Sequence, residues 1–192
     1  MRIIQGGFEA RGRRFAVVAS RFNDVVVKKL VEGAVSCLRK HGIADDDLDV
    51  VWVPGAFELP LVSKRMAVTG GHDAVICLGA VIRGDTAHFD YVAGEAARGI
   101  RQASMETGVP VIFGVLTTDT FEQAMDRAGG KHGNKGWDTA MAAMETASVL
   151  EQIDSGVQGG SSPAERSGTD QAAAVPLAEA ARRRRAAEES QS

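Results

Sequence analysis

Residues 83 to 88 read Arg-Gly-Asp-Thr-Ala-His and follow directly on the uncharged run CLGAVI. Gly84 lets the backbone approach a ligand closely, and Asp85 and Thr86 are residue types that cap helices. Free N–H groups at such a helix start bind anions. His88 stands within the first turn, beside any bound phosphate. The helix N-terminus disfavours its imidazolium form and a phosphate favours it, which suits the ring to proton transfer. An ordinary helix cap accounts for part of this motif, and a lone histidine in such a place is more often structural. An adhesion tripeptide is excluded by context, because that motif works on an exposed loop and this one abuts an apolar strand.

Other chemistry-bearing residues stand in comparable places. SRFND puts Phe22 and Asn23 after one apolar run, and VPGAFELP puts Phe57 and Glu58 after another. VIFGVLTTD supplies Phe113 and a Thr/Asp cap. The chain has seven Phe, one Tyr and two Trp, so aromatics in turns are a notable use of a scarce type. Each alone reads as a cap on the core; together they read as stacking surfaces. Glu58 is either a carboxylate at a helix start or an acceptor for ligand hydroxyls. A Gly-rich break, AGGKHGNKG, carries Lys131, His132 and Lys135 and follows Arg127. It lacks the Gly-Lys-Ser/Thr of a nucleotide-binding P-loop, and no G-x-G-x-x-G follows the first apolar run. Cys37 and Cys77 sit in apolar segments without metal-ligand spacing, as buried free thiols do. Aromatic walls, a carboxylate, a histidine, a helix N-terminus and basic groups suit a phosphorylated small molecule together with a flat ring.

The elements that position these groups follow from the apolar pattern. FAVVA (15–19), LDVVWV (48–53), AVICL (74–78) and VPVIFGV (109–115) are continuous apolar runs rich in Val and Ile, as in strands buried on both faces of a parallel sheet. Helical spacing fills 24–40, 58–68, 89–106, 119–127 and about 137–153. This β-α-β-α-β-α-β-α-α order predicts an α/β fold: a flavodoxin-like three-layer α/β/α sandwich around a four-stranded parallel sheet of order 2-1-3-4. Ligands bind such sheets beyond the carboxyl ends of the strands, where the candidate residues cluster. The first dozen residues read as an extended arm.

The 192 residues carry a net charge of −3 and are 44% hydrophobic. That gives no global argument for nucleic acid or membrane partners. The N-terminus lacks a secretory h-region and no stretch is long enough to span a bilayer, so a cytoplasmic protein is expected. One domain is predicted over 1–153. Residues 154–192 contain a single Leu and no Ile, Phe, Trp, Tyr or Met, and read as a low-complexity, disordered tail. A short helix around Leu177–Glu189 is compatible with the Ala/Arg/Glu content. The run Arg182–Arg185 reads first as a solvated charge run, since Glu188 and Glu189 follow, and second as contact with an acidic or nucleic-acid partner.

ASRFND (19–24), VPGAFELP (53–60), LGAVIRGDTAHFDYV (78–92), VPVIFGVLTT (109–118) and AMDRAGG…GNKG (124–136), in this order and spacing, resemble the 6,7-dimethyl-8-ribityllumazine synthase family of riboflavin biosynthesis. The resemblance implies condensation of 5-amino-6-(D-ribitylamino)uracil with 3,4-dihydroxy-2-butanone 4-phosphate, releasing phosphate and water. It implies that Phe22 stacks on the pyrimidine ring and that Ala56, Phe57, Ala80, Val81 and Ile82 offer backbone groups to its edge. It implies that Glu58 holds ribityl hydroxyls, that Asp85 and Thr86 begin the phosphate-receiving helix, and that Arg127 pairs with the phosphate. His88 is implied as proton donor and acceptor, with Phe113 and Lys135 completing the pocket from a neighbouring subunit. Neither a cofactor nor a metal is implied. A homopentamer is implied, with closure of pentamers into a 60-subunit shell favoured because RAGGKHGNKG carries no insertion. Riboflavin synthase is the implied protein partner.

Two departures from the family pattern stand out: Trp137, where a small residue is common, and the tail after Ile153. A non-catalytic lumazine- or flavin-binding module is the main rival, but binding alone needs neither His88 beside an anion site nor Arg127. A scaffold whose catalysis is vestigial is the other.

Overall fold

The computed structural model describes residues 1–158; the remainder of the expected tail, including Arg182–Arg185 and Leu177–Glu189, lies outside the described residues. The four apolar runs form strands β1 (Phe15–Ser20), β2 (Leu48–Val53), β3 (Ala74–Ile82) and β4 (Val111–Thr118). All pair in parallel, in the order β2-β1-β3-β4, as the sequence pattern predicts. Between and after them come α1 (Asp24–Lys40), α2 (Leu59–Thr69), α3 (His88–Thr107), α4 (Phe121–Arg127) and α5 (Lys135–Gln158). No helix among the described residues is long and apolar enough to cross a membrane.

Alternate residues of each strand feed opposite cores, as the pleat requires. Phe15, Val17 and Ala19 face a cluster with Val26, Leu30, Ala34 and Leu38 of α1, Ala124 of α4 and Ala140 and Met144 of α5. Ala16 and Val18 face the other, with Leu59 of α2 and Ala96 and Ile100 of α3. Full burial of a large aliphatic or aromatic side chain contributes roughly 1.5–3 kcal/mol. Both faces of the central strands are sealed in this way, which explains their unbroken apolar character.

Several boundaries differ from the sequence expectation, each for a local reason. β3 continues to Ile82 because β4 pairs with it to the end, Ile82 against Thr118. The fourth strand starts at Val111 instead of Val109, after a turn in which Ser104 Oγ donates to the Val109 carbonyl. Glu58 closes a single 3₁₀ turn (Ala56–Glu58) and the α-helix starts one residue later. The last helix starts at Lys135 and runs to Gln158, beyond the expected 137–153. The Gly-rich break is a small antiparallel hairpin, β5 (Ala128–Gly130) with β6 (Gly133–Asn134). Residues 1–10 form no regular element, but Gly7 N–H donates to Ser148 Oγ at 3.0 Å and Gln152 Nε2 to the Gln5 carbonyl at 2.8 Å, laying the arm along α5.

Candidate active site

The site is built at the carboxyl ends of the strands by a difference in strand length. Pairing between β1 and β3 ends at Ala19 against Leu78, whereas β3 runs on to Ile82. Ala80, Val81 and Ile82 therefore overhang the end of β1 with their backbone. Asn23, which precedes α1 in the left-handed conformation (φ 59°), ties this overhang down: its Nδ2 donates to the Ala80 carbonyl at 2.8 Å.

On the other side of the crevice, the chain leaving β1 crosses the end of β2. Arg21 N–H donates to the Val53 carbonyl at 2.8 Å and Phe22 N–H to Pro54 at 3.1 Å. That seats Phe22 beside the turn carrying Ala56, Phe57 and Glu58. Ala56 is buried, Glu58 is half-buried, and Phe22 and Phe57 are 72% and 57% exposed. Aromatics so exposed in a single chain are surfaces awaiting a cover, either a flat ligand or another subunit. Gly55 leaves room for the Glu58 carboxylate: a Cβ there would meet Glu58 Oε2 at 3.0 Å.

The motif Arg83–His88 closes the third side. Asp85 and Thr86 are not the cap of α3, contrary to the sequence expectation. The cap position is Ala87, which makes no side-chain cap bond, and His88 is the first helical residue. Thr86 still folds over the helix start, its Oγ1 accepting weakly from His88 N–H at 3.4 Å. Apart from that long bond no side chain caps the first turn, which leaves room for an anion there. Asp85, Thr86 and His88 are all exposed, and the His88 ring has no hydrogen-bond partner among the described residues.

Three expected site residues lie elsewhere. Phe113 is not at the carboxyl rim: it pairs with Cys77, five positions before Thr118, roughly 16 Å down the strand. It is 38% exposed on the edge strand. The run VPVIFGV does not reveal which of its residues reach the strand end, because register is set by the partner strand. Arg127 ends α4 and Lys135 begins α5, and both helices pack in the layer of α1, across the sheet from the layer of Leu59 and Phe89. One chain therefore gathers Phe22, Ala56, Phe57, Glu58, Ala80, Val81, Ile82, Asp85, Thr86 and His88. It holds Arg127 and Lys135 in the layer of α1, and Phe113 on the edge strand, on the face it shares with Val111 and Val115.

The GNKG stretch owes its residues to packing. Asn134 Oδ1 accepts from Gly136 N–H at 2.8 Å and Trp137 N–H at 3.2 Å, capping α5, while its Nδ2 donates to the Lys29 carbonyl at 2.9 Å. Any side chain at Gly136 would collide with the Leu30 carbonyl. Trp137 is half-buried, with Lys40 Nζ 5.0 Å from its ring centroid. Neither thiol is poised as a nucleophile: burial pushes Cys77 up to about 12 and Cys37 up to about 11.

Residues 12–151 match the family model described as 6,7-dimethyl-8-ribityllumazine synthase. The chain belongs to that family. Two proteins called 6,7-dimethyl-8-ribityllumazine synthase, from two strains of Clostridium kluyveri, are each 53% identical to it over 154 residues, spanning 80% of this chain and 100% of the relative. Asn23 was expected at this rim from SRFND; Asn134 and Arg83 were not expected as site residues. Asn134 was legible in principle, as a helix-start asparagine; Arg83 was not, since its partners are set by the fold.

Proposed function

We propose that this chain catalyses formation of 6,7-dimethyl-8-ribityllumazine from 5-amino-6-(D-ribitylamino)uracil and 3,4-dihydroxy-2-butanone 4-phosphate, the penultimate step of riboflavin biosynthesis. The observation that carries this is the convergence, at one sheet end, of exposed Phe22 and Phe57, the overhanging Ala80–Ile82 backbone, half-buried Glu58 and His88 at a helix start whose cap residue, Ala87, makes no side-chain bond. Phe22 stacks on the pyrimidine ring, backbone groups of Ala56, Phe57 and Ala80–Ile82 fix its edge, and Glu58 accepts from ribityl hydroxyls. The first turn of α3, with Asp85 and Thr86 before it, receives the phosphate.

The chemistry is amine attack on a ketone, loss of water, phosphate elimination and ring closure. Each step moves protons between nitrogen, carbon and oxygen, and none needs a redox change. His88, next to the phosphate, is placed to take and return those protons. Amine condensation with a reactive ketone is intrinsically easy, so holding the two substrates in register supplies the larger share, up to ~7–11 kcal/mol.

Phe113, Arg127 and Lys135 serve a pocket on an adjacent copy, Arg127 pairing with the phosphate there. Their place in the opposite layer and on the open edge of β4 supports this reading, as do exposed Leu61, Val68, Tyr91 and Met105 on α2 and α3. The assembly we favour is a homopentamer in the cytoplasm, closing into a 60-subunit shell, with riboflavin synthase as its candidate partner. Residues 1–153 form the catalytic unit and 154–192 are dispensable for turnover.

The test is to mix the purified full-length protein with both substrates and follow lumazine absorbance against a no-enzyme control. Acceleration that saturates in both substrates is expected. A folded protein that binds lumazine without accelerating its formation would replace this reading with a binding module.

A further inference from the structure

The segment that must receive the phosphate is poorly held by packing. Gly84 has nothing near the place a side chain would occupy, and Asp85, Thr86 and Ala87 are all exposed. One residue brackets it. Arg83 N–H extends the β3–β4 ladder by donating to the Thr118 carbonyl at 2.9 Å. Its guanidinium then reaches past the whole loop: Nη2 and Nη1 donate to Asp90 Oδ1 and Oδ2 at 3.2 and 3.5 Å, and Nε donates to Asp119 Oδ1 at 3.2 Å. The plane lies over the Phe89 ring, 4.0 Å from its centroid. Asp90 is in the first turn of α3 and Asp119 in the connection to α4, so three elements meet on one side chain.

This arrangement separates two roles an arginine beside a phosphate site can have. A ligand arginine presents free donors to the anion. Arg83 commits three of its five N–H groups, one from each nitrogen, to two carboxylates and one face to an aromatic ring, and the cluster of one cation and two anions is net negative, which does not favour an anion beside it. The Asp90 side chain raises its affinity for the proton still further. We infer that Arg83 is a positioning residue that sets the geometry of the phosphate-receiving loop and of His88 without touching phosphate. A planar fork suits this task and an ammonium does not, because the brace needs two directions of hydrogen bonding and a stacking face at once.

The inference rests on the reading of the α3 N-terminus as the phosphate site, and the experiment separates the two. In the full-length protein as isolated, inhibition by inorganic phosphate and KM for each substrate are measured for Arg83→Gln, Arg83→Lys, Asp90→Asn, the double variant Arg83→Gln/Asp90→Asn, and Arg127→Ala. Arg83→Gln is expected to weaken phosphate inhibition and raise KM for the butanone phosphate about five- to tenfold, with KM for the pyrimidine changed less than about twofold. Arg83→Lys falls between wild type and Arg83→Gln. Asp90→Asn moves in the same direction, and the double variant is no worse than Arg83→Gln, the non-additivity expected of one shared interaction.

If Asp90→Asn tightens phosphate while Arg83→Gln loosens it, Arg83 is a direct ligand and the positioning role is overturned. Unchanged phosphate inhibition in Arg83→Gln overturns it as well. So does an equal rise in both KM values with a lowered unfolding temperature, which marks a merely structural residue. Arg127→Ala serves as the reference: phosphate inhibition unaffected there strikes at the site reading itself.

Discussion

The two ends of this parallel sheet are built from the same strands and spend their side chains in opposite ways. At the amino end nearly everything is paired inward. Arg14 N–H donates to Asp73 Oδ2 at 2.8 Å, Asp73 N–H returns a bond to the Arg14 carbonyl at 2.8 Å, and the Arg14 guanidinium donates to the Gly70 carbonyl at 3.0 Å with Asp49 close by at 3.6 Å. His72, its side chain only 1% exposed, has Asp49 Oδ2 2.7 Å from Nε2 and the Met66 carbonyl 3.2 Å from Nδ1. At the carboxyl end two phenylalanines stand in solvent, and the side chains of Glu58 and His88 make no hydrogen bond among the described residues. Unspent aromatic surface and unpaired polar groups add nothing to stability in a lone chain. They are free for whatever covers them, which supports the proposed assignment of function to one end and fold maintenance to the other.

If that division is sound, variants should sort by end. The largest effect is expected from Arg127→Ala, on the exposed end of α4. Loss of a charge-assisted bond to phosphate should raise KM for the butanone phosphate on the order of 100-fold while the unfolding temperature stays near that of wild type. Steady-state kinetics beside a thermal melt checks both halves. A large drop in unfolding temperature would show Arg127 to be structural and blur the contrast.

Next comes His88→Ala, expected to lower kcat by roughly tenfold. That is below the ~10²–10⁴-fold general acid–base catalysis can supply, because orientation of the two substrates does more of the work here. No detectable turnover in a folded His88→Ala protein would sink the orientation argument and make the imidazole indispensable.

How much of this was readable beforehand follows the same physics. The sheet order was legible because strands buried on both faces carry uninterrupted Val/Ile runs, and because short right-handed crossovers leave few ways to arrange them. The rim residues near each strand end were legible where a turn signal marks the end, as Pro54-Gly55 does before Ala56 and Gly84 does after Arg83. Phe113 was set near the strand end because the apolar run stops at Val115, whereas the strand continues to Thr118, and only pairing with Cys77 fixes it five residues from that end. The α3 cap was misassigned because Asp85 and Thr86 have the right chemistry but the wrong backbone position. Arg83 was beyond reach, since a bond to Asp119 across 36 residues is a product of the fold. Asp73 was equally silent, and its partner Arg14 lies 59 residues away.

That silence makes Asp73 the finest probe of the contrast. Its carboxylate accepts from a backbone N–H at the entrance to β1, so Asp73→Ala leaves a part-buried donor without its partner and loosens the junction of β1 and β3. One such bond is worth about 1 kcal/mol net, which for a chain of this size lowers the unfolding temperature by roughly 2–4 °C. The six-residue length of β1 separates Asp73 from the crevice, roughly 20 Å of strand, and no candidate site residue touches it. Both KM values and the phosphate inhibition should therefore match wild type at temperatures where the variant is folded. Stability falling without any kinetic change, the mirror image of Arg127→Ala, would establish the two ends as separable. A kinetic defect in Asp73→Ala would mean that strain at the amino end travels along β1 and β3 to the crevice, and the sheet would then be a coupled element and not a passive platform.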